Sequence, residues 1–157
     1  MSNKKQVKLK QTEIGEIPED WHLYKIIDVT EKVIDNRGKT PPLSPYGYEL
    51  LEVNAILEDR KTPDYSVVRK YVDKDTYRTW FREHLQLKDI LLPTVGTIGN
   101  LAILNESRGA IAQNLIGLRI KTNYANPDYI YYYLKSPTQK ERLLNLNIGG
   151  VQPSIKV

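Results

Sequence analysis

Three short apolar segments separated by glycine-bearing turns constrain this chain more than any other feature. Residues 88–93 (KDILLP), 100–104 (NLAIL) and 115–121 (LIGLRIK) are broken by VGTIGN and NESRG. Short apolar runs bounded by turn signals read as β-strands, and the last run alternates Ile116, Leu118 and Ile120 toward one face. The turns between them imply an antiparallel meander.

Helical spacing occurs elsewhere. Ile26, Val29 and Val33, flanked by Ile27 and Ile34, predict a helix of about three turns ended by Asn36, Arg37 and Gly38. Residues 37–47 (RGKTPPLSPYG) carry three prolines and two glycines and predict a long structured loop, followed by a strand at Tyr48–Val53 and a polar stretch to Val72. Asp73 reads as an N-cap. Tyr77, Trp80, Phe81 and Leu85 stand at i, i+3, i+4 and i+8, predicting an amphipathic helix over 74–85 with Arg78 and Arg82 on its other face. Asn126, Pro127 and Asp128 are a cap, a first-turn proline and an acid suited to the helix dipole, opening a helix to about Lys135. Ser136, Pro137 and Gln139 repeat the device for a helix through about Leu144, and Ile148, Gly149 and Gly150 predict a chain reversal. Helices and antiparallel strands that do not simply alternate make an α+β fold, a single domain with an antiparallel sheet and flanking helices.

A length of 157 residues suits one domain with a real core. The absence of cysteine excludes disulfides, zinc ribbons and thiol nucleophiles. No apolar run approaches the roughly 18 residues a membrane span needs, and the lysine-rich start lacks a signal peptide's apolar stretch, so a cytoplasmic protein with no membrane partner is expected. The net charge is +4, and Lys4, Lys5, Lys8 and Lys10 account for all of it. Residues 1–12 therefore read as a basic N-terminal tail before a neutral domain, 13–157. That domain is polarised: residues 13–99 hold 12 basic and 16 acidic groups, residues 100–157 hold 7 and 3. Residues 1–18 read as a lead-in pinned by Trp21.

Catalytic chemistry is missing from the pattern. His22 and His84 stand apart and belong to no metal-spaced cluster, so no metal ligands, cofactor site or catalytic residues are expected. Neither GxGxxG nor GxxxxGK[ST] occurs. Residues 40–43 (TPPL) lack both the acid or amide and the aromatic of the loop by which amino-methyltransferases hold a flipped base. Gly96-Thr97-Ile98-Gly99 is a GxxG, which KH domains use to clamp nucleic-acid backbone, but here it lies between strands, where it reads as a hairpin turn. Eleven tyrosines against one phenylalanine favour wet interfaces. Tyr129, Tyr131, Tyr132 and Tyr133 cannot all face one side of their helix, so some belong to the core and others face a partner or solvent.

Six segments taken in order resemble the DNA target recognition domain of the specificity subunit of type I restriction-modification enzymes. They are IGEIPEDWHLYKIIDV at 14–29, IDNRGKTPP at 34–42, KDILLPTVGTIGNLAIL at 88–104, AIAQNLIGLRIK at 110–121, PDYIYYYLKS at 127–136 and IGGVQPSIKV at 148–157. The resemblance implies a non-catalytic component that reads one half of a bipartite duplex target. It also implies modification and restriction subunits as partners, with S-adenosylmethionine, magnesium and ATP used there and no cofactor in this chain. The family carries two recognition domains separated by long spacer helices; one domain ending at Val157 is expected to be a truncated chain or a half-subunit.

Within that reading, phosphate contacts supply affinity and side chains at major-groove edges supply specificity. Candidates are Arg37, Lys39 and Thr40 in the first loop, Arg60, Lys61, Arg69 and Lys70 in the polar central stretch, and Gln113 and Asn114. The last two could equally satisfy local backbone at a strand end. Two other readings stay open: a protein-interaction fragment that docks modification subunits with little DNA affinity, and an RNA-binding domain using the GxxG turn.

Overall fold

The computed structural model describes residues 8–36 and 39–145. Arg37 and the predicted reversal at 148–150 lie outside the described residues.

The strands of the described residues form three sheets. β1 (Leu9–Thr12) and β2 (Gly15–Pro18) make an antiparallel hairpin. The last four residues of the basic stretch are thus paired, and Lys10 Nζ donates to the Glu19 carbonyl (2.9 Å). Trp21 is 61% exposed, so it does not pin the lead-in as expected. The main sheet has the order β3-β9-β6-β7, all antiparallel, built from β3 (Thr30–Asp35), β6 (Ile90–Pro93), β7 (Ala102–Ile103) and β9 (Leu115–Ile120). A smaller sheet, β5-β4-β8, joins β4 (Tyr48–Leu51) to β5 (Tyr71–Val72) antiparallel and to β8 (Ala110–Ile111) parallel.

Side-chain alternation shows how the layers stack. Leu91 and Leu115 enter the core between the sheets with Leu51 and Ile111. Their neighbours Ile90, Leu92 and Ile116 enter a second core with Ile130, Tyr131 and Leu134 of α3 (Pro127–Lys135). Leu50, Val72 and Ala110, on the far side of the smaller sheet, pack with Phe81 behind α2 (Lys74–Thr79). Because a strand points successive residues to opposite faces, each central strand serves two cores at once. The fold is α+β, a single domain whose main sheet is antiparallel and whose smaller sheet is mixed, flanked by helices.

Three further expectations are corrected. The three-turn helix at 26–34 is one turn, α1 (Ile26–Val29), followed by β3. Thr30, Val33 and Ile34 are β-branched, stiff against a helix and suited to a ladder, and β9 supplies the partner. The helix at 74–85 stops after α2. Its Asp73 cap is as expected, with Oδ1 accepting from Thr76 N (2.7 Å), but Phe81 and Leu85 serve different cores, which one straight helix face could not do. The meander holds only for the β6–β7 hairpin; the chain then crosses to the smaller sheet before β9 returns to the far side of β6. The C-terminal pair agrees with expectation: Asn126 Oδ1 accepts from Asp128 N (2.8 Å), and α4 (Pro137–Asn145) follows α3 directly.

Candidate nucleic-acid interface at one end of the sheets

The sheet register carries the ends of β3, β4, β6 and β8 and the start of β9 to one edge of the molecule. The loops that leave them meet there. Thr94 N, just past β6, donates to the Asn114 carbonyl (2.9 Å), and Asn100 Nδ2 donates to the Ile56 carbonyl (3.0 Å). The GxxG is the β6–β7 connection, with Gly96 at φ +83° and Gly99 at φ +94°, conformations that favour glycine in a hairpin. Three of the quoted segments, 34–42, 88–104 and 110–121, thus converge although up to about 80 residues separate them.

Between these loops lies an open cleft of about 360 Å³ lined by Thr40, Pro41, Leu50, Glu52, Val53, Asn54, Lys70, Ala112, Gln113 and Asn114. Its walls are held by buried neighbours. Glu52 and Asn54 flank Val53 at a 3₁₀ turn, Val53–Ala55, in which Ala55 N donates to the Glu52 carbonyl (3.0 Å) and fully buried Ala55 and Ile56 act as the anchor. Gln113 and Asn114 form a two-residue corner. Ala112 N donates to the Leu51 carbonyl (2.8 Å), Leu115 N donates to the Ala112 carbonyl (3.1 Å), and Leu115 is fully buried. Both side chains at the corner are exposed, and neither hydrogen-bonds to another described residue, so they do not satisfy local backbone. Lys70 Nζ lies 2.7 Å from Glu52 Oε1.

Of the nine sequence candidates, the cleft gathers Thr40, Lys70, Gln113 and Asn114, with exposed Lys39 adjoining Thr40. The other three described candidates are engaged elsewhere. Arg60 pairs with Asp64 (3.3 Å), whose carboxyl is held below its ordinary value by the Ser66 hydroxyl. Lys61 binds Asp128 (2.9 Å) and stands 5.0 Å from the Tyr132 ring. Arg69 Nη1 donates to the carbonyls of Ser66 (2.8 Å) and Val68 (2.9 Å). Neither Asn54 nor Glu52 is among the candidates read from the sequence. The available signal was a single amide inside the apolar run LLEVNAIL, where a strand was expected to end.

The tyrosines divide as their helix requires. Tyr131 is fully buried, while Tyr129, Tyr132 and Tyr133 are exposed. Tyr129 and Tyr133 line a groove of about 720 Å³ with Tyr24, Tyr124 and Ile14. Among the described residues, no helix is long and apolar enough to cross a membrane, and no cluster of three or more His, Asp or Glu could hold a metal.

The profile of the type I restriction modification DNA specificity domain matches residues 18–157, and the chain belongs to that family. It is similar to two Methanocaldococcus jannaschii proteins named as type I restriction enzyme specificity subunits. The MjaX subunit is 28% identical over 141 residues, covering 87% of this chain and 32% of the relative; the MjaVIII subunit is 26% identical over 153 residues, covering 94% and 35%. A chain of a solved type I R-M system, described for its complex assembly and conformational transition, shares the fold at a TM-score of 0.50 and 16% identity, over 90% of this chain and 35% of that one. The chain thus spans about a third of the length of the curated relatives it matches.

Proposed function

We propose that this domain recognises duplex DNA sequence at the loop-built end of its sheets, reading one half of a bipartite target as a non-catalytic specificity component. The convergence of segments 34–42 and 110–121 on one cleft, with 88–104 tied to its rim through the Thr94 N–Asn114 carbonyl bond, carries this reading. Rigid strands bring Thr40, Lys70, Gln113 and Asn114 together with side chains able to reach bases or phosphates. Family membership supports the same conclusion. Lys39 adjoins this end, and Arg37 stays a candidate on its sequence alone. Modification and restriction subunits are the partners we assign to it, with S-adenosylmethionine, magnesium and ATP used in those subunits and the work done in the cytoplasm. The exposed tyrosine groove favours a protein partner on a second face, since a phenol offers apolar surface with a hydrogen-bonding tip.

Mobility shifts with duplex DNA, single-stranded RNA and no nucleic acid test the reading. Duplex binding that weakens with salt by about 0.9 log units per log unit of salt for each neutralised phosphate is expected. Removal of residues 1–7, with Lys4 and Lys5, lowers that slope by up to about two units and leaves sequence preference intact. Preference for RNA, or loss of DNA preference on that truncation, refutes the placement of the interface.

A further inference from the structure

We infer that the cleft reads A·T base pairs through the carboxamides of Asn54, Gln113 and Asn114, which makes Asn54 a specificity-determining residue of this chain. The inference rests on the DNA-recognition reading above and deepens it. Guanine presents two acceptors in the major groove and is matched by a cation, whereas adenine presents an acceptor beside a donor and is matched by a carboxamide carrying both. Lys70 is the one cation among the cleft's described lining residues, and its ammonium pairs with Glu52 at 2.7 Å, so its charge is offset beside the carboxamides. To reach guanine it would have to leave that carboxylate behind, and the carboxylate itself repels acceptor edges. The three carboxamides carry no such commitment. All are exposed, all line the cleft, and none is hydrogen-bonded within the described residues.

Their backbones are fixed before any ligand arrives. Asn54 stands beside buried Ala55 in a hydrogen-bonded 3₁₀ turn. Gln113 and Asn114 stand at a corner tied to β4 through the Leu51 carbonyl and to the β6 loop through Thr94 N. Only side-chain rotamers need ordering on contact, which favours selective hydrogen bonding over the adaptable attraction of a flexible lysine.

The test is selection by the full chain from a duplex library with a randomised window, at low salt, using the wild type, Asn54→Ala, Asn54→Asp, Gln113→Ala and Asn114→Ala. Thermal melting checks that each variant is folded. The wild type is expected to enrich a motif containing A·T positions. Each alanine variant is expected to lose discrimination at one of them by roughly ten- to a hundred-fold while the rest of the motif persists. Asn54→Asp keeps the shape but presents acceptors only, so its position is expected to shift from adenine toward cytosine, whose N4 group donates. A wild-type motif of G·C pairs alone, or folded variants that select the wild-type motif unchanged, overturns the inference and leaves the DNA reading standing. No enrichment by the wild type overturns both.

Discussion

Replacing Arg119 by methionine tests the polar clamp that holds the segment after α2 against the main sheet. The guanidinium donates through Nε to Asp89 Oδ1 (3.0 Å) and through Nη2 to Oδ2 (2.8 Å), and Nη2 also donates to the His84 carbonyl (2.8 Å). The Asp89 side chain is 1% exposed and that of Arg119 12%, so the pair is largely out of water. Methionine keeps the aliphatic stem and deletes the charge, leaving a buried carboxylate whose remaining hydrogen bond comes from Gln86 N (2.7 Å). Breaking a buried pair on one side costs about 3–5 kcal/mol, a large share of the roughly 5–15 kcal/mol that stabilises a domain. At roughly 2–4 °C per kcal/mol for a chain of this size, the melting temperature falls by about 6–20 °C. Adding Asp89→Asn removes the stranded charge and keeps an acceptor for Gln86 N, so Arg119→Met/Asp89→Asn is expected to be more stable than Arg119→Met alone. Urea denaturation of the wild type, both single variants and the double variant gives the coupling directly. A loss below about 1 kcal/mol in Arg119→Met, or a double variant whose losses simply add, refutes the claim that this pair is desolvated and coupled.

Two further outcomes follow from packing and charge. A Cβ on Gly117 would lie 3.1 Å and 3.2 Å from Ile34 atoms and 3.4 Å from Leu91, both fully buried, so Gly117→Val is expected to cost about 1–3 kcal/mol in urea denaturation, part of it recovered by Ile34→Val. Asp128 accepts from Lys88 (2.7 Å) and Lys61 (2.9 Å), which hold its carboxyl below the ordinary 3.8. Its contribution is therefore present above that value and disappears as pH falls through the lower folded one, so Asp128→Asn is expected to flatten the decline of the urea midpoint between pH 5 and the acid limit.

How much of this was legible in the sequence depended on the range of the interaction that decides each element. Caps were readable because the partners lie two or three residues apart: Asp73 to Thr76 and Asn126 to Asp128 need nothing from the rest of the chain. The strand character of 90–93 and 115–120 was readable from short apolar runs between turns. Their order was not, because β8 pairs with β4 in parallel across 60 residues and thereby sends the chain out of the main sheet. The 26–34 stretch misled for a related reason. Its apolar spacing fits a helix, but Val29 at the end of α1 is buried in the core with α3 and Ile34 of β3 in the core between the sheets, a demand that periodicity along one element cannot express.

The same limit governs the interface. Basic residues in a polar stretch look alike in sequence, yet Arg60, Lys61 and Arg69 close on acids or carbonyls away from the cleft, while Lys70, one residue beyond Arg69, lines the cleft and pairs there with Glu52. A cation attracts any acid the fold brings near it, so its availability is settled only by tertiary structure. A carboxamide on a tight turn has weaker competition for its hydrogen bonds, and its availability follows from the turn itself. Gln113 and Asn114 kept their exposure because Ala112 and Leu115 close the corner beneath them, and Asn54 kept its own because the 3₁₀ turn is anchored by buried neighbours on one side. The amides on rigid corners are therefore the part of this surface least rearranged by folding, and the substitutions that test the proposed recognition fall there and not on the longer basic side chains.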